Sequence, residues 1–163
     1  MKTILSFLML MLLWSCQSNA QEKTVKKQYE VTKTEAEWKA ELTEMEYEVL
    51  RNEATERAFT SELLNIKEDG TFVCAACENP LYETKYKFDS GTGWPSFDRA
   101  IEGSLDYSSD RKLGYKRIEL LCGKCGGHLG HMFNDGPRET TGKRHCINGV
   151  ALDFIPENKG NEK

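Results

Sequence analysis

"CGKCGGHLGHMFNDGP" (residues 122–137) gathers two cysteines, five glycines and two of the chain's three histidines in sixteen positions. Its C-x-x-C pair, Cys122 and Cys125, has a counterpart upstream in "CAAC", Cys74 and Cys77. Two such pairs supply four thiolates, a full tetrahedral shell for a structural zinc ion with no position left open for chemistry. The glycines directly behind Cys125 let the backbone wrap closely around metal-bound sulfurs. In an exported chain the same four cysteines could instead close two disulfides. A thioredoxin-like redox pair is the third reading, weakened because neither motif sits on a strand-to-helix junction of a βαβ unit. The gap between the pairs exceeds that of a compact zinc ribbon. A metal here would therefore pin two distant segments of a sheet.

Outward from this stretch the texture is one of short strands and turns. "TFVC", "KRIELLC" and "CINGVALDFI" alternate with clusters of Gly, Asp, Asn, Ser and Pro, the pattern of a β-rich body. Ahead of it, "TEAE" (34–37) is a capping box, and Trp38, Leu42, Met45 and Val49 recur at helical spacing, which predicts an amphipathic helix over 35–50. A second short helical piece is expected in "TERAFTSELL" (55–64), before Asp69-Gly70 turns the chain.

The 163 residues amount to one domain, and the formal net charge of −4 is acidic. That balance argues against nucleic acid or an anionic membrane surface as partner, since either needs a basic face. In residues 1–20 only Lys2 is charged, and "ILSFLMLMLLW" is an apolar run too short for a comfortable membrane span. The layout is that of a secretory signal peptide. "SNA" ending at Ala20 fits a signal-peptidase site, while "LWSC" resembles the lipobox of a bacterial lipoprotein, with Cys16 as the lipidated anchor. Either places the protein in the periplasm or envelope. Residues 21–33 and 157–163 are polar without apolar period and read as a tether and a tail around a domain at 34–156.

One cysteine remains. In "RHCINGVALDF" (144–154), Cys146 stands between Arg144-His145 and Asn148. Read as one strand, this segment puts Arg144, Cys146, Asn148, Val150, Leu152 and Phe154 on a single face. That face is polar at one end and apolar at the other. It suits a thiol at the mouth of a pocket, with Arg144 near enough to favour the thiolate; a buried, inert cysteine is the bland alternative. His128 and His131 follow the second cysteine pair directly, so a metal would anchor their loop, which ends in an Asn-Asp-Gly-Pro turn. "SGTGWPSF" (90–97) places Trp94 and Phe97 in a Gly/Pro-rich loop, where large aromatics seldom serve the core alone.

"SGTGWPSF", "GGHLGHMFNDGP" and "RHCINGVALDF", with the two C-x-x-C pairs interleaved in this order, resemble the B-type peptide-methionine (R)-S-oxide reductases over roughly residues 34–156. The resemblance implies a mainly β fold of two antiparallel sheets with short N-terminal helices, pinned by one structural zinc. It implies that Cys146 attacks the sulfur of methionine sulfoxide and becomes a sulfenic acid. His131 would supply the proton to the leaving oxygen, with His128 helping to bind or orient. Asp135 would bias the histidine charge, Arg144 would stabilise the thiolate, and Asn148 would hydrogen-bond near the reacting sulfur. Trp94 would hold the substrate methyl and select the R epimer, with Phe97 lining the same wall. The implied partners are oxidised proteins or peptides and a thioredoxin-like or other thiol reductant, acting on a monomer. One departure matters. Many members carry a resolving cysteine where this chain has Thr92, which points to an external thiol attacking oxidised Cys146 directly. The rival reading, a non-enzymatic zinc-stabilised binding module, has no need of Cys146, His131 and Trp94 together.

Overall fold

The computed structural model describes residues 27–157. Two helices lead: α1 (Glu35–Glu41) and α2 (Glu44–Asn52). The single helix expected over 35–50 is broken between them. Thr43 is extended (φ −63°, ψ 162°) and forms a second capping box with Glu46, repeating the Thr34–Glu37 box of α1. The interruption changes which side chains are buried. Trp38, Tyr47, Val49 and Leu50 reach the core, whereas Met45, expected on the buried stripe, is 51% exposed. The second helical piece shrinks to a single 3-10 turn, Glu62–Asn65. Phe59, at φ 66°, adopts a backbone conformation no α-helix contains.

Nine strands follow: β1 (Gly70–Cys74), β2 (Pro80–Glu83), β3 (Lys87–Phe88), β4 (Ser96–Phe97), β5 (Leu105–Asp110), β6 (Arg117–Cys122), β7 (His128–Phe133), β8 (Arg144–Ile147) and β9 (Leu152–Pro156). They make a three-stranded sheet, β2-β1-β9, and a six-stranded sheet, β3-β4-β8-β7-β6-β5. Every pairing is antiparallel. The fold is therefore the mainly β, two-sheet architecture that the sequence implied.

The segment 144–154 is not one strand. β8 ends at Ile147, a 3-10 turn spans Gly149–Ala151, and β9 then joins the other sheet. Asn148 makes the corner: its main-chain N–H and its side-chain amide both donate to Leu129 O, at 2.9 and 3.0 Å. The shared face expected from Arg144 to Phe154 thus ends at Asn148, and the chain crosses between sheets immediately behind Cys146. The core lies between the sheets and under the helices, built from Phe72, Leu81, Tyr82, Phe97, Leu120, Leu129 and Ile147 with Trp38, Val49 and Leu50. Tyr82 stacks on Phe97 at 4.2 Å between ring centroids, and Phe72 meets Phe97 edge-on at 5.0 Å. Burying each such side chain contributes about 1.5–3 kcal/mol.

Candidate active site and metal cluster

Cys74 ends β1 and Cys122 ends β6, so the two cysteine pairs come from different sheets. The four sulfurs lie within 4.8 Å of one another. Cys74 and Cys125 Sγ are 3.8 Å apart, and Cys77 and Cys122 Sγ 3.5 Å. A tetrahedral ion with Zn–S bonds near 2.3 Å needs edges of about 3.8 Å. A disulfide needs about 2.05 Å, and all five described cysteines are free. The donor set and spacing fit zinc, which would rivet sheet to sheet. Each knuckle closes with a left-handed residue after its second cysteine, Glu78 (φ 56°) and Gly126 (φ 71°). At Gly126 a Cβ would also meet the Tyr29 ring at 2.3 Å.

The candidate site residues are set by register in the six-stranded sheet. Cys146 on β8 lies directly opposite His131 on β7 and, on its other side, Ser96 on β4. His131 in turn pairs with Glu119 on β6. Side chains paired across antiparallel strands project from one face. Ser96, Cys146, His131 and Glu119 therefore form a row, and Arg144 opposite Phe133 begins the next. Gly130 permits the close approach of β7 to β8, since a Cβ there would come within 2.0 Å of Cys146 O.

The row opens on a cleft of about 140 Å³ lined by Trp94, His131, Phe133, Cys146, Asn148 and Thr55, with Gly130 and Arg117 completing it. A wider surface depression of about 500 Å³ beside Phe59 and Lys87 contains no cysteine or histidine.

Burial pushes the Cys146 thiol up, against the opposing pull of Arg144 and the Thr92 hydroxyl. Arg144 thus acts in the expected direction but does not prevail, and the resting group is a thiol. Burial likewise lowers His131, with Arg117 and His128 adding to the effect and Asp110 resisting it. At neutral pH its ring is neutral. Its Nε2 lies 2.6 Å from Asp110 Oδ2. Arg117 donates to Asp110 Oδ1 through Nε and Nη2 at 3.2 and 2.8 Å. Burial would raise Asp110, but Arg117, the Lys112 amide and His131 outweigh it and hold the carboxyl well below the usual carboxylate range.

Three expected roles meet different geometry. Asp135 faces neither histidine: it accepts two hydrogen bonds from Arg144, at 2.9 and 2.8 Å, while that guanidinium lies 4.5 Å over the Phe133 ring. The carboxylates at the histidines are Asp110 and, 2.7 Å from His128 Nδ1, Glu119. Phe97 is fully buried in the core. In the two-residue β4, Ser96 takes the site face and Phe97 the opposite one, so the second aromatic of the cleft is Phe133. Asn148 lines the cleft, but its amide is occupied by Leu129 O and by Glu56 N–H, the latter at 3.1 Å. It frames the pocket, with both ends of its amide tied to main chain.

His128 is buried beside His131, their rings 5.3 Å apart and edge-on, and does not line the cleft. Trp94 is half-buried, and its indole N–H donates to Glu56 O at 3.3 Å. Sequence reading missed Thr55, Glu56, Asp110, Arg117, Glu119 and Phe133. Two signals were available. Glu119 is a charge inside the apolar run "RIELL", and Asp110 and Arg117 are placed symmetrically about the Leu113-Gly114 turn, as strand ends of one hairpin would be.

A two-sheet fold clasped by four cysteines presents a half-buried thiol beside a carboxylate-held histidine in an open cleft, the parts that thiol chemistry on a small substrate needs. Residues 42–156 match the SelR domain. The chain is 50% identical over 130 residues to the peptide methionine sulfoxide reductase MsrB of Leptospira interrogans, covering 79% of this chain and 98% of that one. It is 48% identical over 127 residues to that of Chromohalobacter salexigens (77% and 96% covered) and 47% over 136 to that of Burkholderia vietnamiensis (82% and 95%). The chain belongs to the SelR-domain family of B-type peptide-methionine sulfoxide reductases and is an oxidoreductase acting on methionine sulfoxide. Among solved structures, the "Yippee-like" domain of Mis18 aligns with TM-score 0.44 and 18% identity, covering 54% of this chain and 96% of that one.

Proposed function

We propose that the protein reduces the R epimer of methionine sulfoxide in oxidised proteins, with Cys146 as nucleophile. The observation carrying this is the direct cross-strand pairing of Cys146 with a neutral, Asp110-held His131 at a cleft walled by Trp94. The resting pair holds one transferable proton, on the thiol. His131 takes it through the ring nitrogen not bonded to Asp110, and the Asp110 carboxylate stabilises the imidazolium. The thiolate attacks the sulfoxide sulfur and forms an S–S bond while the imidazolium returns the proton to the oxygen; the hydroxyl then passes from the substrate sulfur to Cys146 as that S–S bond breaks. Oxygen ends on Cys146 as a sulfenic acid, and the substrate sulfur gains two electrons and becomes a thioether. Protons balance without an outside acid. Trp94 packs the substrate methyl, and Phe133 forms the second apolar wall.

Two equivalents of an external thiol then restore Cys146, releasing water and a disulfide. Among the described residues the other four cysteines are gathered in the metal cluster, and Thr92 occupies the loop position of the resolving cysteine. Zinc, when bound by Cys74, Cys77, Cys122 and Cys125, supplies a structural clasp and no redox chemistry. Export with removal or lipidation of the leader is part of the same reading; it rests on the apolar run and the competing Cys16 and Ala20 sites, which lie outside the described residues. Among those residues no helix is long and apolar enough to cross a membrane.

The test is a single turnover. Reduced, zinc-loaded protein is mixed with R or S epimers of blocked methionine sulfoxide without recycling thiol. About one methionine per chain from the R epimer, and none from Cys146→Ser, is expected. No methionine from either epimer while zinc stays bound would end the proposal.

A further inference from the structure

The loop between α2 and β1 carries Glu56, a buried residue bonded to three separate parts of the cleft's surroundings. Its carboxylate accepts hydrogen bonds from Gly149 N–H and, at 3.0 Å, from Val150 N–H. These are the leading amides of the 3-10 turn behind Cys146, whose own cap residue, Asn148, offers no side-chain bond. The main-chain N–H of Glu56 donates to Asn148 Oδ1 at 3.1 Å, and its carbonyl accepts the Trp94 indole N–H at 3.3 Å. A carboxylate held by two adjacent amides makes short, charge-assisted bonds that resist displacement. The chain is closed tightly around it: a Cβ at Gly149 would lie 1.9 Å from Ser61 Oγ and 3.2 Å from Glu56 Oε1.

Cys146 and His131 are placed by strand pairing, whereas Trp94 and Thr55 stand on loops; the main chain beside Trp94 is tied where Pro95 O accepts from Ile147 N–H at 3.0 Å, but no strand sets the direction of its ring. Glu56 joins the two kinds of support. Epimers of a sulfoxide carry the same groups on sulfur and differ only in their arrangement, so a wall separates them only if its distance from the attacking sulfur is fixed. We propose that Glu56 is a positioning residue that fixes Trp94 relative to Cys146 and so sets the preference for one epimer. The proposal rests on Trp94 being the methyl-binding wall.

The test compares zinc-loaded wild type, Glu56→Gln and Glu56→Asp with both epimers of blocked methionine sulfoxide, alongside the rate at which iodoacetamide alkylates Cys146. Gln keeps the size but turns an NH2 toward one of the two amides; Asp keeps the charge but shortens the reach. Both variants are expected to raise KM for the R epimer and to cut the R-to-S ratio of kcat/KM about tenfold or more. Alkylation stays unchanged, because Glu56 bonds to neither Arg144 nor His131. A lower melting temperature with KM and epimer ratio intact, or loss of folding in both variants, would make Glu56 purely structural and overturn the proposal. Where only Glu56→Gln fails to fold, the epimer ratio of Glu56→Asp decides. A wild type without epimer preference sinks the Trp94 reading itself, an outcome distinct from failure in the variants alone.

Discussion

Asp110 on β5 and His131 on β7 are joined at 2.6 Å across the intervening strand β6, whose Arg117 bonds the carboxylate's other oxygen. The bridge fixes the imidazole ring and its tautomer, leaving Nδ1 as the nitrogen that exchanges protons. Asp110→Asn removes the counter-charge for the imidazolium while keeping the shape. The expected result is a fall in kcat of roughly ten- to a hundredfold with KM little changed. Steady-state kinetics with the R epimer check this, and a change confined to KM contradicts it.

The proposed mechanism works with one proton shared between Cys146 and His131, so activity is expected to be bell-shaped in pH. The acid limb reports His131, held below its ordinary 6.5 by burial, and the alkaline limb reports Cys146, held above its ordinary 9.0 by burial. Glu119, Asp110, His128 and Arg117 face the histidine, and Asp110→Asn moves the acid limb further down. Single-turnover rates across pH measure both limbs; a broad optimum lying below pH 6 would contradict the assignment.

His145 faces away from the cleft, its Nδ1 3.3 Å from Tyr82 Oη, and burial lowers its pKa to about 4. Below its ordinary 6.5 the unfolded chain takes up a proton that the folded chain refuses until about 4. This contribution to stability is complete above 6.5 and is lost as pH falls through that window. The loss is on the order of 3 kcal/mol. His145→Phe removes it, so the gap between urea midpoints near pH 7 and near pH 4.5 should narrow relative to wild type.

The Thr92 hydroxyl pulls the Cys146 thiol down, and its loop runs into Ser96, the cross-strand partner of Cys146. After one turnover, wild type is expected to gain a single oxygen on the Cys146 peptide. Thr92→Cys is expected to lose two hydrogens instead, as a 92–146 disulfide. Intact-mass and peptide mapping distinguish them, and a wild-type intramolecular disulfide to Cys146 would refute direct recycling by external thiol.

Chelation or Cys122→Ser removes the rivet between the sheets. The expected drop in melting temperature is on the order of 10 °C or more, with one zinc per chain released. Unchanged melting after verified metal loss would show that the core alone holds the sheets together.

The four-cysteine cluster was legible in the sequence because ligand chemistry demands particular residues at a particular spacing. Cys146 was legible as a cysteine left over. Its partner was less so: His131 is adjacent only through β7–β8 register, which no local pattern records. Asp135 lies close in sequence to both histidines, yet the Asn134–Pro137 turn carries it away to Arg144, while Asp110, far off in sequence, arrives by hairpin pairing. Phe97 was misplaced because a two-residue strand gives alternation nothing to work on. The break in the leading helix was there to be read, since "TEME" (43–46) repeats the capping pattern of "TEAE".

β1, the first strand among the described residues, lies between β2 and the last of them, β9, with Gly70 opposite Pro156. The three-stranded sheet therefore waits for residues 152–156 before it closes. Such long-range pairing slows folding, because loop-closure entropy comes due before the contacts that offset it. A chain stopping after Asn148 would possess every reacting side chain and lack the strand that carries the Cys146 turn into the second sheet. The turn behind Cys146 is thus seated only by residues that come after every side chain of the cleft.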